Sequence, residues 1–261
     1  MKYNFKVSII VVSLNTKKKF TKTINSILKQ KYKNFEIVVI DGKSTDGTKE
    51  IIFKKKKYIS KFLIKKDKGI YHAMNKGVLL SKGQWIIFMN SGDIFFNNRV
   101  LENIFKKKIS KCDVIFGDTQ IDHNFIKVYK RSNYFQKNTV TMPFCHQSTL
   151  VKSEYIKKNL FNLRYQLSSD FNFFLNSYFK KINFFKHNGP ISIVEAFGKS
   201  DVNRQKVLTE NIKIFYMNKS YLNIFFLVYL KIFESIKALI KFCLPNNIIK
   251  YVLKIKYYKF F

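Results

Sequence analysis

The sequence is poor in residues that break or rigidify a chain, with 9 glycines and 3 prolines among 261 residues. This scarcity excludes collagen-like and glycine- or proline-rich low-complexity chains. The three cysteines, Cys112, Cys145 and Cys243, are widely spaced. They predict neither a disulfide framework nor a zinc site, and a reducing cytosol is the expected setting. No uncharged apolar run reaches the ~20 residues that span a bilayer.

Acidic residues and arginine are also scarce. The chain has 49 Lys and Arg residues against 16 Asp and Glu residues, which gives a formal net charge of +33. Only four of the basic residues are arginines: Arg99, Arg131, Arg164 and Arg204. Proteins that read phosphates or bases usually depend on the bidentate guanidinium group. The charge alone therefore does not predict a specific nucleic-acid partner.

The first hundred residues alternate between strand and helix periodicity. Val7–Leu14, Phe35–Ile40 and Gln84–Met89 are apolar runs typical of strands buried on both faces, while Phe20–Gln30 and Tyr71–Leu80 have helical periodicity. This alternation predicts an α/β fold with a parallel sheet and right-handed crossovers.

The second half predicts a different organisation. We expect one domain over residues 1–205, with halves at 1–120 and 121–205, followed by a basic helical tail over residues 206–261. In the tail, the apolar run Tyr221–Leu230 precedes Lys231, Lys237 and other charges at helical spacing. A basic amphipathic helix pair suits an anionic membrane surface. The alternative is that the tail packs on the preceding domain with its lysines in solvent.

Polar residues follow the predicted strands where each strand ends. Ser13 and Asn15 follow the first strand, Asp41 the second and Asp93 the fourth. In an open parallel sheet, ligands bind outside the carboxyl ends of the strands. Each residue alone could equally form a turn. Together with the motifs below, they predict a ligand site.

Four segments resemble motifs of family 2 glycosyltransferases of the GT-A fold. They are VSIIVVSLN (Val7–Asn15), DGKSTDGT (Asp41–Thr48), DKGIYHAMNKG (Asp67–Gly77) and FMNSGD (Phe88–Asp93). The closest similarity is to the bacterial branch that builds colanic acid, O-antigen and capsule. The resemblance implies a GT-A, Rossmann-like, mostly parallel sheet flanked by helices. It also implies that residues 1–120 bind the nucleotide-sugar and residues 121–205 face the acceptor.

The resemblance assigns the donor site. The residues implied in nucleotide-sugar binding are Ser13, Asn15, Asp41, Asp67, Gly69, Asn75 and Ser91, with Asp41 bound to the base or ribose. Asp93 is implied as the ligand of Mg²⁺ or Mn²⁺, which would neutralise charge on the departing diphosphate. Gly92 stands where the fuller motif often has a second acid, which leaves one direct carboxylate.

The resemblance also implies a general base. Asp170 begins the predicted helix Ser169–Phe179 at the position of the family's catalytic acid. An N-cap role for Asp170 is the alternative, and the two roles are compatible. His146 and Gln147 are similar to a family segment on the acceptor side.

The expected function is a metal-dependent, inverting hexosyltransferase. It would move a sugar from a nucleotide-diphosphate donor, expected to be a UDP-sugar, to a hydroxyl of a glycan or lipid-linked acceptor in bacterial surface polysaccharide or lipopolysaccharide biosynthesis. The expected location is cytoplasmic, peripheral at the inner face of the plasma membrane. The alternative is a non-catalytic basic protein that binds nucleic acid or an anionic membrane. A nucleotidyltransferase is disfavoured because Ser13–Thr16 contains no glycine.

Overall fold

The computed structural model describes residues 5–106, 111–123 and 126–243, without the side chains of residues 238–243. The chain divides after Val202 into two compact units. The second basic stretch of the tail, Asn246 to Phe261, lies outside the described residues.

The first unit alternates strands and helices. Two single turns of 3-10 helix, Lys56–Tyr58 and His146–Ser148, lie between these elements. In chain order the strands and helices are β1 (Val7–Ser13), α1 (Lys17–Leu28), β2 (Phe35–Asp41), α2 (Thr48–Lys54), β3 (Lys61–Ile64), α3 (Ile70–Leu80), β4 (Trp85–Phe88), β5 (Ile94–Phe95), α4 (Val100–Phe105), β6 (Val114–Asp122), β7 (Lys127–Lys130), β8 (Thr149–Lys152), α5 (Ser153–Lys158), α6 (Ser169–Phe179), β9 (Phe184–Glu195) and α7 (Lys199–Val202).

The strands form one sheet in the order β3-β2-β1-β4-β8-β6-β9-β5, with β7 paired to β6. The first four strands of this order are parallel, as the sequence predicts. β8 enters antiparallel between β4 and β6, and β6 then pairs in parallel with β9. The predicted α/β class is confirmed, with a sheet that is parallel in its first half and mixed in its second.

The core lies on both faces of β1 and β2, whose apolar residues are almost all fully buried. On one face α3 approaches β1 closely at Gly77. A Cβ at Gly77 would lie 2.5 Å from Ile10 Cγ2, so the helix can reach this position only without a side chain. This contact sets the position of the amino end of α3 at the carboxyl edge of the sheet.

The structure differs from the sequence analysis in two strands. The run Asp113–Phe116 predicts a strand that ends at Gly117 and Asp118, but β6 continues through both residues. β9 is not predicted from the sequence. β9 contains Gly189 and Pro190, which interrupt its apolar pattern, and its pairing with β6 shifts register at Asp118. A strand with such a register shift lacks the regular alternation of apolar and polar residues by which strands are recognised in a sequence.

The second unit contains α8 (Arg204–Met217) and α9 (Tyr221–Cys243). α9 packs against α8 through one face, where Leu227 is fully buried and Lys231 Nζ donates to Thr209 Oγ1 over 2.8 Å. The opposite face is apolar and exposed, whereas the sequence predicts a charged outer face. Its exposed residues are Tyr221, Leu222, Phe225, Phe226, Val228, Tyr229, Ile232, Phe233 and Ile236. In the described part of the chain, no helix is long and apolar enough to cross a bilayer.

Candidate active site

The loop that follows β4 carries the acidic residue of the last motif. This loop, Asn90–Asp93, is held by a bond from Ser91 N to Val12 O of β1 and by Thr23 Oγ1 of α1, which donates to Asp93 O over 2.7 Å. The Asp93 side chain is buried at the carboxyl edge of the sheet. The sheet and α1 therefore fix the position of the carboxyl group before any ligand binds.

His146 joins this loop to the second half of the unit. Its Nδ1 lies 3.0 Å from Asp170 Oδ2, and its Nε2 lies 3.4 Å from Asn90 Nδ2. His146, in its protonated form, also lowers the pKa of the Asp93 carboxyl group. The structure therefore brings together Asp93, His146 and Asp170, which the sequence analysis assigned to separate roles.

Asp170 lies in the first turn of α6, but Ser168 holds the N-cap position. The alternative role of Asp170 as the helix cap is therefore not observed. Its Oδ1 accepts hydrogen bonds from Tyr71 OH over 2.8 Å and from Phe171 N. Burial raises the pKa of Asp170, but His146 and Tyr71 outweigh that effect, and the net pKa lies below its usual value. Asp170 is consequently ionised at neutral pH.

Asp93 has the opposite electrostatic character. Burial raises the pKa of its carboxyl group to about 7, although His146 and the side chain of Gln147 oppose the shift. The negative charge of Glu195 adds to the increase. An ionised Asp93 at this site therefore needs a positive partner.

The loop offers oxygen atoms for a cation. Asp93 Oδ2, Asn90 Oδ1 and Ser91 Oγ are buried and have no hydrogen-bond partner among the described residues. Carboxylate, amide and hydroxyl oxygens suit Mg²⁺ and Mn²⁺. No group of three or more His, Cys, Asp or Glu side chains in the described ranges could hold a metal alone. The donor set fits a divalent cation that takes its remaining ligands from a bound molecule and water.

Asp41 has a different environment from the one expected. It is fully buried, and its carboxylate accepts hydrogen bonds from Ser13 Oγ (2.8 Å), Ser44 N (2.7 Å) and Ser44 Oγ (2.6 Å). A contact of Asp41 and Ser13 with a base or ribose stays a prediction, and in this structure their bonds are to each other and to Ser44. They fasten the loop that follows β2 to the end of β1, because both side chains are bonded within the protein.

Asn75 is also bonded within the protein. Its Nδ2 donates to Phe161 O and its Oδ1 accepts from Phe161 N, both over 2.9 Å. A contact of Asn75 with the nucleotide-sugar likewise stays a prediction. Asn75 fixes α3 to the segment that precedes α6.

Asn15, Asp67 and Gly69 remain at an open edge. Asn15 is exposed, although its Oδ1 accepts from Thr45 N. Asp67 pairs with Lys76 over 2.6 Å, and its Oδ2 lies 3.6 Å from the point where a Cβ on Gly42 would sit. A Cβ at Gly69 would meet nothing within 4 Å. Leu14, whose side chain is exposed, and Asp67 both lie within 4 Å of the point that a Cβ on Gly42 would occupy.

Sequence reasoning missed three side chains at this site. Tyr71 and Asn90 lie inside two of the motifs that resemble the family, so their polar groups were a signal available in the sequence. Glu195 ends β9, a strand that was not predicted, so its position could not be inferred.

The comparisons with known proteins identify the family. The sequence profile described as Glycosyl transferase family 2 matches residues 8–193. The chain belongs to this family. The matched range includes every residue of the site except Glu195.

Relatives and solved structures agree with this assignment. The PGL/p-HBAD biosynthesis glycosyltransferase of Mycobacterium bovis is 28% identical over 189 residues, covering 64% of this chain and 67% of the relative. An uncharacterized glycosyltransferase of Rickettsia bellii is 38% identical over 96 residues, covering 36% of this chain and 14% of its own length.

Two solved structures share the fold of this glycosyltransferase. S. aureus TarS 1–349 in complex with UDP-GlcNAc has a TM-score of 0.64 at 19% identity, covering 80% of this chain and 66% of that one. The mannosyltransferase PcManGT of Pyrobaculum calidifontis, in complex with GDP-Man and Mn2+, has a TM-score of 0.63 at 14% identity. It covers 83% of this chain and 64% of that one. The fold is therefore GT-A, and this chain spans about two thirds of these structures.

Proposed function

We propose that this glycosyltransferase moves a sugar from a nucleotide-diphosphate donor to an acceptor hydroxyl with inversion, using a divalent cation. The observation that carries the proposal is the position of His146 between the Asp93 loop and Asp170. Asp93, beside oxygen atoms that have no partner in the described residues, can hold a cation at the leaving group. Asp170, ionised on the other side of the imidazole, can act as the base. Two carboxyl groups whose environments separate their pKa values can take different roles.

Asp170 acts as the general base. Its carboxylate takes the proton of the acceptor hydroxyl while the oxygen attacks the anomeric carbon and the bond to the diphosphate breaks. Tyr71 and His146 hold the carboxylate ionised and oriented by hydrogen bonds to its two oxygens. Positioned proton transfer of this kind contributes roughly 10²- to 10⁴-fold to a rate.

Asp93 holds Mg²⁺ or Mn²⁺, with Asn90 and Ser91 as neighbouring oxygen donors. The cation would supply Lewis-acid neutralisation of the departing diphosphate. The neighbours bound to UDP-GlcNAc and to GDP-Man with Mn2+ support a nucleotide-sugar donor and a cation.

The nucleotide lies along the open edge formed by Asn15, Asp67 and Gly69. Gly69 directly precedes α3 at this edge, and the side chain of Leu14 is exposed there. A UDP-sugar is the proposed donor, since UDP and UDP-GlcNAc occupy related structures.

The side chain of Gln147 hydrogen-bonds the Asp93 carboxyl group and His146 contacts Asp170, so both lie where donor and acceptor would meet. We propose a hexosyl transfer to a glycan or lipid-linked acceptor in surface polysaccharide biosynthesis. The mycobacterial relatives named for PGL/p-HBAD biosynthesis support a biosynthetic transfer.

The second unit is proposed to bind an anionic membrane surface. The exposed face of α9 is apolar over residues 221–236, and Lys206, Lys213 and Lys219 of the neighbouring segments are exposed. An apolar face beside lysines matches the apolar boundary and negative charge of an anionic leaflet. This arrangement would hold the enzyme peripherally at the cytoplasmic face of the membrane.

Nucleotide binding tests the donor site. Thermal unfolding is followed with UDP, GDP, CDP and ADP, each with and without Mn²⁺, for the wild type, Asp93→Asn and Asp170→Asn. A ligand that binds only the folded state at ~100 times its dissociation constant stabilises by about 2.7 kcal/mol. We expect cation-dependent stabilisation in the wild type and Asp170→Asn, and its loss in Asp93→Asn.

One result would contradict the proposed donor site. If no nucleotide raises the melting temperature, with or without Mn²⁺, the assignment of the donor site is wrong. Oligonucleotide binding with a steep salt dependence would then favour the basic, non-catalytic alternative.

A further inference from the structure

Glu195 reaches the Asp93 loop from the other half of the sheet. Its Cδ and Oε1 lie 3.5 Å from the point that a Cβ on Gly92 would occupy. Gly92 has a φ of 112°, a backbone conformation that residues with a side chain rarely adopt. An acidic residue at this position of the loop would therefore be strained. Glu195 therefore provides a carboxylate beside Gly92 that the loop lacks.

The two acids Asp93 and Glu195 are electrostatically coupled. Glu195 is near enough for its negative charge to act on the Asp93 carboxyl group. Asp93 is 7% exposed and its Oδ2 has no hydrogen-bond partner within the described ranges. Like charges in such a place are unfavourable unless a cation lies with them.

A positive charge already lies with Glu195. Lys19 of α1 forms a short ion pair with Glu195, and its side chain also borders Gly92. The ion pair lines a cavity of about 310 Å³ together with Asp122, His123, Ala196 and Phe197. The ammonium group neutralises Glu195 while no metal ion is present.

We propose that Glu195 supplies the second carboxylate of the divalent-cation site at Asp93, and that Lys19 is its counter-ion when the site is empty. This inference rests on the proposed function, which places a cation at Asp93. On binding, the cation takes over the charge of Glu195, and the Lys19 ammonium is released from the ion pair. The site is then built from two strand ends, β4 and β9, rather than from one loop.

Manganese binding tests this role without measuring transfer. Free Mn²⁺ is measured by electron paramagnetic resonance during titration of each protein with excess UDP or GDP, against nucleotide alone. We expect Glu195→Gln to weaken Mn²⁺ binding at least ~10-fold, the scale on which groups that support a metal site act. Glu195→Asp should keep more of the affinity because it keeps the carboxylate.

Two further variants are matched controls. Glu154→Gln removes an exposed, ion-paired carboxylate from α5 and should leave Mn²⁺ affinity unchanged. Lys19→Gln removes the competing ammonium and should leave the affinity equal or higher. Melting curves without metal show that each variant is folded.

The outcomes separate this inference from the proposed function. If Glu195→Gln binds Mn²⁺ like the wild type while Asp93→Asn does not, Glu195 is only the partner of Lys19 and the inference is overturned. If Lys19→Gln and Glu195→Gln weaken Mn²⁺ binding equally, the ion pair supports the loop and the inference is again wrong. If Asp93→Asn also binds like the wild type, the proposed cation site itself fails.

Discussion

At the scale of single residues, the ionisation of Asp170 depends on neighbours from three segments. Tyr71 comes from α3, His146 from the turn that precedes β8, and the Phe171 amide from α6 itself. These donors oppose the effect of burial on the pKa. The removal of one donor should therefore change the pH dependence of the reaction while the fold is kept.

Tyr71→Phe tests this dependence. The loss of the hydroxyl donor raises the pKa of Asp170, so the acidic limb of kcat/KM should move to higher pH. We expect the rate at neutral pH to fall by roughly 10- to 150-fold at most, since one hydrogen bond to a charged group contributes about 1.5–3 kcal/mol. Tyr155→Phe, which removes a hydroxyl bonded to Ser177, is the matched control. An unmoved acidic limb would show that Tyr71 does not act on the base.

Asp41→Asn separates the structural role of Asp41 from its predicted contact with the nucleotide. The amide would place a donor against the Ser13 and Ser44 hydrogen bonds, and we expect a destabilisation of about 1–3 kcal/mol. Nucleotide stabilisation should persist in the folded variant. A normal melting temperature with loss of nucleotide binding would instead restore Asp41 as a ligand contact.

The residues of the site were predictable to different degrees. Asp93 and Asp170 were predicted because they lie in motifs that resemble the family. A motif does not show whether a side chain faces a ligand or the protein interior. Ser13, Asp41 and Asn75 lie in the same motifs and are bonded inside the protein. Apart from Ser44, which is three residues from Asp41, their partners lie 28 to 86 residues away, beyond any local pattern.

At the scale of secondary-structure elements, a buried acid joins the strands at the edge opposite the site. Glu36 of β2 accepts from Ser8 Oγ of β1 over 2.6 Å and from the backbone of Lys82 and Gly83 before β4. Burial raises the pKa of Glu36, but these bonds and Lys6 outweigh it, so the net pKa is lowered. One carboxylate thereby ties three neighbouring strands together.

Glu36→Gln should expose this contribution through pH. A carboxylate with a lowered folded pKa stabilises the protein above its unfolded pKa of ~4.3, and that stability is lost as pH falls through the folded pKa. We expect the variant to be less stable by about 1–3 kcal/mol at pH 7, with a smaller difference near pH 3.5. Urea unfolding at both pH values measures this, with Glu154→Gln as control. An equal difference at both pH values would contradict the role of ionisation.

The contact of α3 with β1 gives a second prediction. Gly77→Ala places a methyl group against Ile10, and overpacking of this kind costs about 1–3 kcal/mol. The melting temperature should fall by about 2–10 °C for a domain of this size. Gly198→Ala, whose Cβ would meet nothing closer than 3.9 Å, is the matched control. Equal melting curves for the two variants would contradict the close approach of α3.

Regular elements were predictable and irregular ones were not. The continuous apolar runs of β1, β2 and β4 and the helical spacing of α3 and α6 are local signals, and the structure confirms them within a few residues. β5 has two residues, too few for a periodicity, and β9 carries a register shift. Both are specified by pairing with distant strands.

At the scale of the whole molecule, charge and exposed apolar surface act together. The net charge of +33 draws the protein towards any anionic surface, and the face of α9 adds apolar contacts that charge alone does not supply. The double variant Leu222→Ser, Phe225→Ser should therefore bind anionic vesicles about 10-fold more weakly or worse in a sedimentation assay. The burial of each of these side chains contributes roughly 1.5–3 kcal/mol of binding free energy. Binding of the wild type should fall in high salt.

The control for this prediction is Leu79→Ser, which removes an exposed leucine of α3. It should bind vesicles like the wild type. Equal binding of the double variant would show that lysines alone hold the protein to lipid. Equal binding to neutral vesicles would contradict a preference for anionic lipid.

The pairing of β5 with β9 has a consequence for folding. Ile94, directly after Asp93, pairs with Ile193, about a hundred residues later in the chain. The closure of so long a loop loses chain entropy before the contacts between the strands can compensate, so such pairings form late and slowly. The parallel strands β1 to β4 could assemble first, yet the loop at Asp93 would gain its partner strand only when β9 docks. The capacity to bind a cation should therefore appear as the last kinetic phase of refolding.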